Sequence, residues 1–468
     1  MPSDPSSGAG TLPGQMKRWE PQQLAHAAGA RLLHAPPQLA TGPDRATIDS
    51  RDAGPGALFV GLPGEHVHGG DFAQAALDRG AWGVLTTPEH AARLAAGAAG
   101  VVLAAQDALQ ALQRLATAWR RALGAQVIGI TGSTGKTSTK ELLLSVLSPH
   151  RMTVASKANF NTEIGLPLQI LSAPAGTEVL ILEMAMRGAG QIAELARIAE
   201  PDVGVIVNVG PVHLELLGSL EAIAAAKAEL IAALEPGAVV VVPVDEPLLA
   251  PHLRADLRTV TFGDGGDVSL VGYDDREVAV DLAGERISFE VEFSEAHLRQ
   301  NLLAACAAAR AVGVHPGGRL DFRVGPGRGG RLALPGGITL IDDAYNANPM
   351  SMRSSLAALA ASAAAEGRPT RRVAILGDML ELGPDARAYH EQIGAVADTT
   401  VDLLVTVGPL AAAMARRFHG DHHHVEDAQA AAELVPGLLA PGDIVLVKAS
   451  NGVGLKLVCD RLAAVAPA

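Results

Sequence analysis

Short apolar runs alternate with segments of helical spacing along this chain, and polar, glycine-bearing turns recur where the runs end. Residues 46–51, 57–61 and 82–85 suit short strands and 72–77 a helix, which predicts a small α/β unit at the start. Residues 109–123 have helical spacing and lead into the apolar run 127–130, a glycine-rich turn and a helical segment that Pro149 ends. Strand-like runs follow at 177–182, 203–208 and 238–243, with helical stretches between them. Such alternation predicts a largely parallel sheet covered by helices on both faces. Residues 264–293 alternate in short segments that suit an antiparallel ribbon, and 297–309 suit an apolar helix. After a breaker-rich junction at 311–318, the stretches 338–349, 373–383, 403–408 and 444–448 repeat a strand-then-polar-turn pattern, predicting a second doubly wound sheet. His422, His423 and His424 fall in a polar loop and read as solvated surface.

Length and composition sharpen this α/β picture. At 468 residues, a prior of about 150 per domain suggests three domains, placed at 1–104, 105–316 and 317–468. The first 15 residues, rich in Pro, Gly and Ser, are expected to be disordered. Hydrophobic residues make up 48% and aromatics 3%, so the core must be built from many small side chains. A net charge of −13 argues against a nucleic-acid partner, whose backbone is bound through Lys and Arg. Every window of 18 residues carries charge, so no membrane span is expected. Cys306 and Cys459 stand in apolar helical surroundings far apart, which fits unpaired thiols in a reducing compartment, the cytoplasm.

The chemistry concentrates at the polar turns. Gly132, Ser133, Thr134, Gly135, Lys136, Thr137 and Ser138 stand between strand and helix, where helix N–H groups bind an anion that Lys136 neutralises and the Thr137 hydroxyl reaches Mg²⁺. Ile130 occupies the first glycine position of a full P-loop, leaving the shorter Gly-x-x-Gly-Lys-Thr-Ser form; a glycine-rich turn with a surface lysine is the alternative. Downstream, Asn159, Asn161, Thr162 and Glu163 suit either substrate contacts or an ordinary Asn-rich turn. Glu183, leaving an apolar strand shortly before Arg187, is placed for Mg²⁺ or for a cap or ion pair. Local pattern alone leaves His213 structural and Lys227 a solvated helix lysine. Asn301 faces either a base or a backbone group. Asp343, Tyr345, Asn346 and Asn348 crowd one strand tip, following the glycine-rich segment that carries Arg328 and Arg331.

The order of these motifs resembles the Mur ligases, ATP-dependent amide-forming enzymes of peptidoglycan precursor synthesis, across almost the whole chain. Residues 159–167, 342–349 and 376–383 are similar to the branch that adds D-alanyl-D-alanine to UDP-N-acetylmuramoyl-tripeptide. Residues 49–51 and 55–64 resemble that branch's UDP-substrate domain and make Ser50 and Arg51 candidates there. The resemblance implies a P-loop-type central ATPase domain and a Rossmann-like third domain that closes on ATP. It implies Mg²⁺ held by Thr137, Glu183, His213 and a Lys227 carbamylated by CO₂, with Lys136, Lys227, His213 and Glu183 serving catalysis. Asn301, Arg328 or Arg331, and Asp343 would contact adenine, phosphate and ribose; Tyr345, Asn346 and Asn348 would hold the dipeptide or the nucleotide. A monomer acting on three small molecules is expected. The chain departs from the family at His68 and Gly70, where Asp and His are usual, at Leu298 for Asn, and at Asn451 for Arg. A diamino-acid or folylpolyglutamate ligase and a non-catalytic nucleotide-binding module are the alternatives; the acceptor motif Asp-Asn-Pro-Arg of the diamino-acid branch is absent.

Overall fold

The computed structural model describes residues 19–464 except 96, 158, 275 and 367–369, so the start expected to be disordered lies outside the described residues. Apolar runs build three sheets. In the first, Arg45–Thr47, Ala57–Val60, Gly83–Thr86 and Val101–Ala104 pair in parallel, and Arg31–His34 closes the edge antiparallel to Val101–Ala104.

The second sheet has ten strands. Its parallel centre runs Thr153–Ala155, Val179–Glu183, Gln126–Thr131, Val203–Ile206, Val239–Pro243 and Arg258–Phe262. Every residue of Val179–Glu183 and Val203–Ile206 is buried, as expected of strands with helices on both faces. Val268–Tyr273, Glu277–Leu282 and Glu285–Glu290 form the antiparallel ribbon, which joins this sheet through the pair Phe262 and Val268. Gly318–Arg319 then adds to the ribbon's outer edge. Strand order reverses around Gln126–Thr131, whose neighbours are Val179–Glu183 on one side and Val203–Ile206 on the other. The C-terminal end of that strand is therefore the crevice where ligands bind in such sheets.

The third sheet orders Gly330–Leu334, Ile338–Asp342, Ile444–Lys448, Arg372–Gly377, Leu403–Val407 and Asp421–Val425, parallel after the first hairpin. The three histidines expected in a loop lie instead in the edge strand Asp421–Val425. Backbone pairing with Leu403–Val407 outweighs their polar character, because an edge strand leaves polar side chains in solvent.

The units are packed together. One apolar cluster runs from Leu58 and Leu103 of the first sheet through Leu112, Leu115 and Trp119 of helix Ala108–Leu123 to Leu180 and Leu182 of the second. Trp119 also donates from Nε1 to Ala173 O at 3.2 Å. On the other face, helices Lys136–Leu147 and Ala296–Ala311 share a cluster that includes buried Cys306. Cys306 and Cys459 are both free, and burial raises both thiols above the usual range. Among the described residues, no helix is long and apolar enough to cross a membrane.

Candidate active site

Gln126–Thr131 ends in the glycine turn, and helix Lys136–Leu147 begins one residue after Gly135. Gly135 has φ 77°, and a Cβ there would lie 2.6 Å from Asn301 Oδ1, so only glycine fits the turn beside this amide. Asn208 clamps the loop: its Oδ1 accepts from Ser133 N at 3.1 Å and Thr134 N at 2.9 Å, and its Nδ2 donates to Thr134 Oγ1 at 3.0 Å. With those two N–H groups engaged, anion binding falls to the first helical turn, whose N–H groups have no intrahelical partner. Lys136 Nζ donates to Gly132 O at 2.6 Å, poised above the loop. Burial pulls its ammonium below the usual lysine range; nearby Glu183 opposes the shift and Arg328 adds to it.

Glu183 is 3% exposed and leaves its strand toward the loop. Its carboxylate accepts from Thr137 Oγ1 at 2.9 Å and from Asn161 Nδ2 at 2.9 Å. Lys140, buried in the same helix as Thr137, donates to Ser156 O, and Ser156 Oγ accepts from Glu183 N at 3.1 Å. His213 has left-handed backbone, φ 53°, a strain of about 1–2 kcal/mol for a residue with a Cβ. Its Nδ1 bonds Glu381 of the third sheet. Burial lowers the His213 pKa, Glu381 raises it, and Lys136 and Lys227 lower it further. Lys227 is 2% exposed, not solvated as its local pattern suggests, and has no hydrogen bond or ion pair among the described residues. Burial first, then Lys136, carries its pKa well below the usual lysine range. Glu229, two residues on, instead caps helix Gln191–Ala199 through Gly190 N and Ala193 N.

The opposite wall comes from the third sheet. Lys448, 3% exposed, donates from Nζ to Asp343 Oδ2 at 2.7 Å and to Asn346 O at 3.0 Å. Arg328 stacks over Tyr345 at 3.9 Å and forms no ion pair among the described residues. Arg331 is committed to Glu295 at 3.1 Å and Ser362 at 2.7 Å. The Asn348 side chain caps helix Pro349–Ala365, accepting from Ser351 N at 3.0 Å, and Asn346 Oδ1 accepts from Ala347 N at 2.9 Å. Met350 of that helix sits where a Cβ on Gly210 would lie, which brings the third sheet against the phosphate loop.

The two walls enclose a cavity of about 1190 Å³ that reaches from Ser133 to Ser138, Glu183, His213 and Asn301 across to Arg328 and Lys448. Asn161, Thr162, Glu163 and Arg187 also line it; Asn159, Gly132 and Lys227 do not. Such a space holds more than one small ligand. Asn301 Nδ2 is buried without a partner, an orphan donor that a nucleotide base or sugar would satisfy. Thr137 and Glu183 offer hard oxygens suited to Mg²⁺, whereas a protonated lysine offers none. No cluster of three or more His, Cys, Asp or Glu suited to a metal occurs among the described residues.

Ser50 and Arg51 lie apart from this cavity, in the turn after Arg45–Thr47. Arg51 pairs with Asp49 at 2.6 Å, holding that carboxyl at about 2, and Thr47 Oγ1 accepts from Asp49 N at 3.1 Å, which stops the strand there. At Gly70, a Cβ would lie 2.6 Å from the ring of His90, which stacks on His68 at 4.1 Å. Asn451 is exposed in the turn Asn451–Val453. Asn208, Lys448 and Glu381 are absent from the site residues named from the sequence, although each lies in a strand-then-polar-turn stretch that the sequence shows.

A phosphate loop at the switch point of a parallel sheet, faced by arginine and lysine from a second sheet, defines a nucleotide-binding α/β protein. Residues 45–120 match the Mur ligase family catalytic domain, 130–309 the Mur ligase middle domain and 327–451 the Mur ligase glutamate ligase domain. The chain belongs to the Mur ligase family. It is 38% identical to a Mycobacterium bovis protein, UDP-N-acetylmuramoyl-tripeptide–D-alanyl-D-alanine ligase, over 94% of this chain and 97% of that one. Its structure is similar to MurF from Acinetobacter baumannii, with TM-score 0.83, 27% identity and 95% and 99% of the two chains covered. It is also similar to MurF ligase from Thermotoga maritima in complex with ADP, with TM-score 0.78, 28% identity and 90% and 97% covered.

Proposed function

We propose that this chain is an ATP-dependent ligase that joins D-alanyl-D-alanine to UDP-N-acetylmuramoyl-tripeptide. The likeness to a protein of that name, 38% identical over 94% of the chain, carries the reading. The tripeptide carboxylate attacks the γ-phosphorus of ATP, ADP leaves, and an acyl phosphate forms. The dipeptide amine then attacks the acyl carbon; phosphate leaves and the nitrogen loses a proton. Lys136 and the first turn of its helix hold phosphate oxygens and offset the charge that gathers on them. Arg328 approaches from the opposite wall, where closure excludes water that would hydrolyse the acyl phosphate. Asn301 meets the base or sugar, and Tyr345 and Asn346 edge the space for the incoming dipeptide.

Thr137 and Glu183 would hold Mg²⁺, which when bound draws negative charge from the transferring phosphoryl group. Lys227 joins that set as a carbamate: a buried amine that loses its proton easily attacks CO₂, forming an N–C bond, releasing a proton and presenting an anion beside Lys136 and His213. Ser50 and Arg51 bind the UDP end, in a first domain ending at residue 104; the central domain, expected to end at 316, extends past Gly318–Arg319, which pair with its sheet. Two buried, unpaired cysteines support a reducing cytoplasm, where the enzyme acts as a monomer. Phosphate release tests the assignment: it should require UDP-N-acetylmuramoyl-tripeptide and D-alanyl-D-alanine together, and ATP turnover indifferent to the dipeptide would sink it.

A further inference from the structure

Four non-glycine residues among those described have left-handed backbone, and two of them, His213 (φ 53°) and Glu381 (φ 61°), bond to each other. They belong to different sheets: His213 follows Val203–Ile206 of the second, Glu381 follows Arg372–Gly377 of the third. Backbone of this kind persists only where the surroundings over-determine it, and it clusters at sites and switches. The Glu381 carboxylate accepts from His213 Nδ1 and lies 3.8 Å from Arg187 Nε, while its carbonyl accepts from Glu215 N at 3.3 Å. Behind it, Met379 N donates to His390 Nε2 at 2.9 Å and Leu380 N donates to Ser450 Oγ at 2.9 Å. Ser450 Oγ donates in turn to Ala347 O at 3.3 Å, in the turn that carries Tyr345 and Asn346. One carboxylate from the third sheet therefore bonds His213 of the central wall and lies beside Arg187, on a loop braced to the opposite wall.

We propose that Glu381 is a closure latch and positioning residue, which orients His213 and Arg187 only while the third sheet is seated on the second. With Nδ1 committed to Glu381, Nε2 is the ring nitrogen left for the cavity, the device by which a carboxylate fixes the tautomer and aim of an imidazole. Closure of the molecule thus completes the site. The latch rests on the ligase reading only for its turnover readout.

Glu381→Gly removes the carboxylate and suits the left-handed backbone, so a purely structural role predicts equal or higher Tm with unchanged turnover. Energy transfer between dyes on the second and third sheets, with a non-hydrolysable ATP analogue, reads closure without any chemistry. The latch predicts that E381G keeps its Tm, closes less with the analogue and loses about 10–100-fold in kcat, and that Glu381→Gln, which keeps an acceptor for Nδ1–H, recovers most of both. Wild-type closure and turnover in E381G, or E381Q no better than E381G, overturns it. Should E381G unfold, Glu381→Asp, too short to reach both partners, takes its place, and wild-type closure in E381D overturns the latch equally. If the wild type joins no dipeptide, the ligase reading fails, and the energy-transfer result still decides the latch.

Discussion

Lys227 is poorly placed to be a cation. It lies 2% exposed, without an acceptor among the described residues and close enough to Lys136 for their charges to oppose. A buried lysine relieves that conflict by giving up its proton, and the amine that results is the form that attacks CO₂. Native mass measurement with and without bicarbonate should show the wild type heavier by one CO₂, reversibly, and Lys227→Met unchanged. Ligation by K227M should fall about a hundredfold or more, as when one preorganised charge-stabilising group is removed. Full activity of K227M, or a wild type that never gains the mass, removes the carbamate from the mechanism. Local pattern hides this residue, and in the sequence only the resemblance to the Mur ligases singles it out. An Ala-rich helix with one lysine reads as solvated, and only the packing of Leu220–Ala232 against Gln191–Ala199 and the central sheet buries it.

Among the elements, helix Ala386–Thr400 governs the loop that carries Glu381. Its fully buried His390 accepts from Met379 N at Nε2, 2.9 Å away, which places the proton on Nδ1, 2.6 Å from Ala386 O. Protonating Nε2 would break the bond to Met379, and burial holds the His390 pKa below 6.5. The folded pKa is depressed relative to the unfolded one, so stability is full above about 6.5 and is lost as pH falls toward the folded value. The slope is at most about 1.4 kcal/mol per pH unit from this group. Urea unfolding followed downward from about pH 8 should show His390→Gln less stable by about 1–3 kcal/mol above pH 6.5, with a shallower acid loss. His213 and His297 are shifted in the same direction, so part of the slope will persist. An unaltered slope in H390Q excludes the link. Elements of this kind are only half legible. The strands at 373–377 and 403–407 announce themselves by apolar runs, but a bond between residues eleven positions apart across a loop leaves no periodic trace.

At the scale of the molecule, the phosphate loop is legible because strand, glycine turn and helix are contiguous in the chain, whereas the opposing wall is assembled from residues near 328, 343 and 448. Sequence pattern leaves Arg328 and Arg331 alike; in the structure Arg331 is bonded to Glu295 and Ser362, while Arg328 stacks on Tyr345 and forms no ion pair among the described residues, which makes Arg328 the candidate to test. Arg328 also lies near enough to Lys136 to disfavour its charge, a repulsion that a polyphosphate between them would convert into two attractions. Nucleotide should therefore bind the closed arrangement and stabilise the whole chain. At a hundredfold excess over Kd the gain is about 2.7 kcal/mol, visible as a rise in Tm. Arg328→Ala should leave the ligand-free Tm near that of wild type, because the residue has no ion pair among the described residues to lose, yet need several-fold more ATP analogue for the same rise. Arg331→Ala should do the reverse, lowering the ligand-free Tm by breaking the tie between helix Ala296–Ala311 and the third sheet. Equal ligand-induced shifts in wild type and R328A would mean that the third sheet does not reach the nucleotide through this arginine.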